Sequence, residues 1–135
     1  MKSLPKIGEY MDEVVPTLSP ETQIMKAVDF LLRHRVTGAP VVDSDGKLLG
    51  IITETDLLKL VTEGIQGQPA TETTVAEYMT TNVVTVPPTV DIYYVAGIFL
   101  NKKFRRLPVV KDGRIVGAIT RFDLLRIIRL LSAMT

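Results

Sequence analysis

The chain of 135 residues repeats itself once. Tyr10-Met11 recurs as Tyr78-Met79, and Thr17-Leu18-Ser19-Pro20 as Thr85-Val86-Pro87-Pro88. Ile24 recurs as Ile92, Leu32 as Leu100, and Pro40-Val41-Val42 as Pro108-Val109-Val110, each pair 68 positions apart. The offset drops to 67 once Asp43-Ser44-Asp45-Gly46 is matched by the shorter Lys111-Asp112-Gly113. In that register Gly50-Ile51-Ile52-Thr53 aligns with Gly117-Ala118-Ile119-Thr120, and Asp56-Leu57-Leu58 with Asp123-Leu124-Leu125. A single one-residue slip, located in a turn, is the mark of a duplicated structural unit. A unit of roughly 55–60 residues buries only about 60% of its unfolded surface. The two halves are therefore expected to share one core as a single module, with repeat 1 at 7–62, a Gly-, Thr- and Gln-rich linker at 63–74 and repeat 2 at 75–131.

Each half reads as strand, helix, strand, strand, helix, an α/β unit. A short extended piece, Val14-Val15 or Val83-Val84, leads into a helix start. Ser19 is the expected N-cap of the first helix with Pro20 at its first position, and Pro87 a poorer cap of the second. Ile24, Ala27, Val28, Leu31 and Leu32 follow the spacing of one helical face, as do Ile92, Val95, Ala96, Phe99 and Leu100. Pro40 and Pro108 are expected to break the chain after those helices. Val41-Val42 with Leu48 to Ile52, and Val109-Val110 with Ile115 to Ile119, flank Asp-Gly turns and read as hairpins. Closing helices run from Glu54 to about Val61 and from Arg121 to about Leu131.

Composition restricts the chemistry. There is no cysteine, which removes disulfides, thiolate catalysis and Cys-ligated metal. The single histidine, His34, at a helix end beside Arg35, reads as a surface residue. The first ten residues hold no apolar run of signal-peptide length, and no segment approaches the ~20 apolar residues of a membrane span. A soluble, cytoplasmic protein is expected. The net charge is +1, so no global field marks a nucleic-acid or membrane binder. No nucleophile–base arrangement and no metal-ligand spacing is present, and no enzyme is expected.

The two copies of Pro-Val-Val followed by Gly-h-h-Thr-x-x-Asp, with h an apolar residue, resemble a tandem pair of cystathionine-β-synthase (CBS) domains, a Bateman module, from about Ile7 to Leu131. The resemblance implies two β-α-β-β-α repeats packed face to face about a pseudo-two-fold axis. It implies clefts between them that bind an adenosyl nucleotide (AMP, ADP, ATP or S-adenosylmethionine), with no catalytic cofactor, and pairing of modules into dimers.

Thr53-x-x-Asp56 and Thr120-x-x-Asp123 have the spacing of a helix capping box, which needs no ligand. The resemblance adds a second role. Asp56 and Asp123 become candidates for the two ribose hydroxyls, since an ionised carboxylate can accept from both. Thr53 and Thr120, at helix starts rich in N–H donors, become candidates for ribose or phosphate. By the same resemblance Val15, Val84, Ile51, Ala118, Ala39-Pro40 and Leu107-Pro108 wall the adenine, although ordinary core packing accounts for them equally. Arg105 and Arg106 match a basic pair that reaches phosphate, a task suited to the planar guanidinium fork. Lys102 and Lys103 read as solvated cations at a helix end. The first half has Thr37-Gly38 in place of the arginines, so its cleft is expected to be empty or to take the same or a less charged ligand.

The leading expectation is a non-enzymatic sensor that binds the nucleotide and signals to an effector protein as a homodimer. About six residues precede the first repeat and about four follow the second, so no fused effector is expected. The alternatives are a ligand-free interaction scaffold and, through Lys102, Lys103, Phe104, Arg105 and Arg106, a single-stranded nucleic-acid binder.

Overall fold

Both Asp-Gly segments turn the chain back on itself, and the two resulting hairpins organise everything else. The computed structural model describes residues 4–64, 73–102 and 104–133. Lys103 and residues 65–72 of the expected linker lie outside them. Strand β1 (Gly38–Val42) pairs antiparallel with β2 (Leu48–Thr53), and β3 (Arg106–Lys111) with β4 (Arg114–Thr120), each as a two-stranded sheet. Asp112 and Gly113 both have positive φ, 54° and 79°, the backbone a two-residue type I′ turn requires. The longer first turn is held by Asp43, whose Oδ1 accepts from the N–H of Asp45 and of Lys47, both at 2.9 Å.

Pro40 and Pro108 do not break the chain after the helices, as expected, but sit inside β1 and β3. A strand with a single ladder partner tolerates the missing donor. Each proline carbonyl accepts instead from the segment ahead of the helix, Leu18 N at 3.0 Å and Val86 N at 3.1 Å. Val14-Val15 and Val83-Val84 form no strand; the extended contribution there is one parallel bridge per repeat, Leu18 to Val41 and Val86 to Val109.

Helix α1 is Ile24–His34 and α4 is Ile92–Asn101, both starting later than Ser19 and Pro87 suggest. Ser19 to Thr22 form a hydroxyl-bonded turn instead, with Ser19 Oγ 3.0 Å from Thr22 Oγ1. The N-caps are Gln23 and Asp91, and Asp91 Oδ1 accepts from Tyr94 N at 3.0 Å. The starts are set by tertiary contacts. Ile24 N donates to Thr73 O at 2.9 Å and Ile92 N to Pro5 O at 3.1 Å, each carbonyl lying outside the helix's own repeat. Ile24, Ala27 and Leu31 are buried on α1, and Ile92, Val95 and Phe99 on α4. Leu32 and Leu100, expected on those faces, are exposed. The closing helices are α2 (Glu54–Lys59), which runs into a wide π turn at Leu60–Gly64, and α5 (Arg121–Ala133). A one-turn helix, α3 (Val75–Tyr78), and a 3-10 turn, Ile7–Glu9, were not legible in the apolar spacing.

The repeats and the compact units do not coincide. One compact unit is Pro16–Val83, here the central unit. The other joins Met1–Val15 to Val84–Thr135, here the split unit. Each repeat thus contributes its leading segment to the body of the other. In the central unit Thr80 and Ile51 exchange two backbone hydrogen bonds of 2.8 Å. In the split unit Asp12 and Ala118 do the same at 3.0 and 2.9 Å. The buried side chains form one cluster in each unit. Ile7, from the first repeat, is fully buried with Val95, Phe99, Ile119 and Ile127. Val75, from the second, is fully buried with Ile24, Ala27, Val41 and Ile52.

Candidate functional site

Glycine at two matched positions brings the exchanged segment against each hairpin. A Cβ on Gly50 would stand 2.7 Å from the Thr80 carbonyl oxygen, and one on Gly117 would stand 2.9 Å from that of Asp12 and overlap Met11 Sδ. Only a residue without a side chain allows that approach. It delivers Thr80 and Asp12, equivalent positions in the repeat, to the first turn of α2 and α5.

The Thr-x-x-Asp pairs are capping boxes. In the central unit Thr53 N and Thr53 Oγ1 both donate to Asp56 Oδ2 at 2.9 Å, and Asp56 N donates to Thr53 Oγ1 at 3.3 Å. In the split unit Thr120 N donates to Asp123 Oδ2 at 2.8 Å, and Asp123 N to Thr120 Oγ1 at 3.1 Å. Both aspartates are buried. The local motif therefore uses one carboxylate oxygen and leaves Oδ1 for a further partner.

That partner differs between the two units. Asp56 Oδ1 accepts from the Thr80 hydroxyl at 3.0 Å. Asp12 occupies the Thr80 position in the split unit, and a carboxylate has no proton to give. Asp123 Oδ1 accepts there from Arg126 Nη2 in a charged pair one helical turn along α5. Asp12 turns its own Oδ1 to Val14 N at 3.0 Å.

Around this second carboxylate lies a cavity of about 580 Å³, lined by Tyr10, Met11, Asp12, Arg106, Thr120, Phe122, Asp123 and Arg126. Arg106 reaches it because it pairs with Thr120 across the β3–β4 ladder. Its Nε is buried and has no hydrogen-bond partner, an unmet donor of the kind that an anionic acceptor relieves. At the equivalent ladder position, opposite Thr53, the central unit has Gly38.

Of the residues singled out from the sequence, the cavity thus gathers Thr120, Asp123 and Arg106. Thr53 and Asp56 meet at the start of α2 in the central unit. Ala39 and Pro40 are buried in β1 and Ile51 is half-buried in β2, while Leu107, Pro108 and Ala118 are buried in the other hairpin. Ala39 and Leu107 are core residues. Arg105 is exposed, Val15 half-buried and Val84 exposed, and none of these lines the cavity. Exposed His34 lies against Phe30 with ring centroids 4.4 Å apart and the rings tilted by 48°. Asp12, Thr80, Phe122 and Arg126 carry no motif and escape a linear reading, and Tyr10 and Met11 were marked only as part of the repeat. The repeated Tyr-Met dipeptide was the one available pointer to Asp12 and Thr80, which follow it directly.

Arg121 has a different task. Its guanidinium donates to the carbonyls of Phe99, Lys102 (3.2 Å) and Phe104 (3.1 Å) and lies 5.4 Å from the Phe99 ring centroid, closing the C-terminus of α4. Among the described residues no group of three or more His, Asp or Glu is placed to hold a metal ion, and no helix is long and apolar enough to cross a membrane.

The family model for the CBS domain matches residues 7–63 and again 75–130, so the chain belongs to the CBS domain family as a tandem pair. It is 33% identical over 122 residues to an uncharacterized Methanocaldococcus jannaschii protein, MJ1225, covering 90% of this chain and 42% of that protein. It spans 62% of the length of the chloroplastic CBS domain-containing protein CBSX1 of Arabidopsis thaliana, at 32% identity over 89% of this chain. Among solved structures, CBSX2 of Arabidopsis thaliana in complex with AMP superposes with a TM-score of 0.82 at 30% identity, covering 94% of this chain and 98% of that one.

Proposed function

We propose that this chain is a non-catalytic regulatory module that binds an adenosyl nucleotide and passes the occupied state to an effector protein. The observation that carries it is the cavity of the split unit. Buried Asp123, whose carboxylate suits a ribose diol, lines one space of nucleotide size with Thr120, Tyr10, Phe122 and Arg106, whose buried Nε has no partner. Family membership supports the reading, since a relative was crystallised with AMP and another CBS pair, of MJ0100, with 5′-methylthioadenosine and S-adenosyl-L-methionine. In this reading Asp123 accepts from the ribose, Tyr10 and Phe122 offer rings to the adenine, and Arg106 meets the tail. Asp56 and Thr53 make the corresponding, less charged site in the central unit, with Ile51 beside it. A homodimer fits the apolar side chains exposed along α5, Leu125 and Ile128.

The test is calorimetric titration with AMP, ADP, ATP and S-adenosylmethionine. Binding of at least one is expected, weakened about tenfold or more by Asp123→Asn. Hydrogen bonds to a charged group contribute about 1.5–3 kcal/mol, and about 1.4 kcal/mol is tenfold in affinity. Asparagine retains an acceptor for the Thr120 N–H, so the capping box survives. Silence with all four ligands overturns the proposal, as does full affinity in the variant.

A further inference from the structure

Duplication should have left two equivalent sites, and the backbone does keep them equivalent. What differs is the charge placed at each. In the central unit the carboxylate is satisfied by neutral hydroxyls, from Thr53 and Thr80, and Gly38 faces Thr53 across the ladder. In the split unit Asp12 replaces Thr80, Arg106 replaces Gly38, and Arg126 holds the buried carboxylate. Two guanidiniums therefore share a cavity with two carboxylates, and one guanidinium is engaged by the group a ribose would need.

We infer that Arg126 is a specificity-determining residue that sets the split-unit site for adenosyl ligands with an anionic tail. The inference rests on the nucleotide reading given above. A ribose that takes Asp123 Oδ1 displaces Arg126. Its side chain is 61% exposed and free to swing, whereas that of Asp123 is only 9% exposed and stays. With a neutral nucleoside the displaced guanidinium loses its acceptor and returns to water. With a nucleotide it gains a phosphate, and it joins Arg106, whose Nε has no partner to give up. Guanidinium and phosphate form bidentate charged hydrogen bonds, the stronger class. The ion pair thus opposes adenosine and not AMP. A cationic tail, as on a sulfonium, meets two guanidiniums and is opposed as well. The central unit has Lys59 at the position of Arg126, but Asp56 Oδ1 there accepts from the neutral Thr80 hydroxyl, so no such exchange is built into it.

The test compares AMP with adenosine by nuclear magnetic resonance titration. The amides of Thr120 and Asp123 report the split unit, and those of Thr53 and Asp56 the central one. In the parent chain AMP should bind the split unit more tightly than adenosine does. In Arg126→Gln that preference should fall tenfold or more, with adenosine held as well as before or better, while the preference read at Thr53 and Asp56 stays put. Arg126→Lys, which keeps the charge and loses the fork, should retain part of the preference. An unchanged preference in Arg126→Gln overturns the inference. So does an equal loss of both ligands, which would make Arg126 merely structural. If the parent chain moves the Thr120 and Asp123 amides with neither ligand, nor with ADP, ATP or S-adenosylmethionine, the nucleotide reading itself fails, and it fails independently of any Arg126 variant.

Discussion

Replacing Gly50 by alanine sets the strongest test of how the exchanged segment is held. The new Cβ would lie 2.7 Å from the Thr80 carbonyl oxygen and 3.1 Å from Met79 Sδ. The sulfur is the end of a flexible side chain and can move. The carbonyl cannot, because Thr80 O accepts from Ile51 N and Thr80 N donates to Ile51 O, both at 2.8 Å. Relief requires the Thr80 segment to back away, stretching those two bonds and withdrawing the Thr80 hydroxyl from Asp56 Oδ1 at 3.0 Å. Three hydrogen bonds at about 0.5–1.5 kcal/mol each set the upper limit of the loss. Overpacking of this size typically costs about 1–3 kcal/mol. Alanine returns about 0.5–1 kcal/mol by restricting the unfolded chain. A net destabilisation of about 1 kcal/mol follows, or a fall of about 3–5 °C in Tm for a chain of this length. Circular dichroism melts and urea titrations measure both quantities, and an unchanged m-value would show that the native state keeps its compactness. A variant that melts at or above the parent temperature would mean that the Tyr78-Met79-Thr80 segment is not seated against β2 as described.

Other substitutions probe independent features. Gly97→Ala should move the other way, because nothing lies within 4 Å of the added Cβ on α4; a gain of about 0.5–1 kcal/mol is expected for alanine over glycine in a helix, read in the same melts. Ile119→Ala empties a fully buried position in the split-unit core and should cost about 2–5 kcal/mol, measured by urea titration. Arg121→Ala releases the carbonyls of Phe99 and Lys102 at the end of α4 and that of Phe104 beyond it; a loss of about 1–2 kcal/mol should come with faster amide hydrogen exchange confined to the last turn of that helix.

Short-range features were legible in the order of residues. The two hairpins follow from Asp-Gly between β-branched runs, because a two-residue turn with positive φ is a local preference. The capping boxes follow from Thr and Asp three positions apart, because side chain and N–H meet within one helical turn. The helix starts were misplaced for the complementary reason. Ser19 is a good local cap, but the first N–H of α1 is satisfied by Thr73 O, and no local rule sees a carbonyl about fifty residues away. The two helix faces were read correctly where the core claims them and wrongly at Leu32 and Leu100, whose exposure is decided by what packs nearby.

The candidate site divides along the same line. Sequence alone determined that the chain is a duplication, that each copy follows its hairpin with the Thr-x-x-Asp spacing of a helix cap, and that an arginine precedes the second Pro-Val-Val strand where a glycine precedes the first. Only the tertiary structure decided who meets the remaining oxygen of each aspartate. That choice depends on the exchange of leading segments, which places Thr80 beside Asp56 and Asp12 near Asp123, residues separated by 24 positions in one case and by most of the chain in the other. A hydroxyl can donate and a carboxylate cannot, so Asp12 in place of Thr80 leaves the second carboxylate to Arg126, and together with Arg106 in place of Gly38 it gives two sites of one backbone plan different charges.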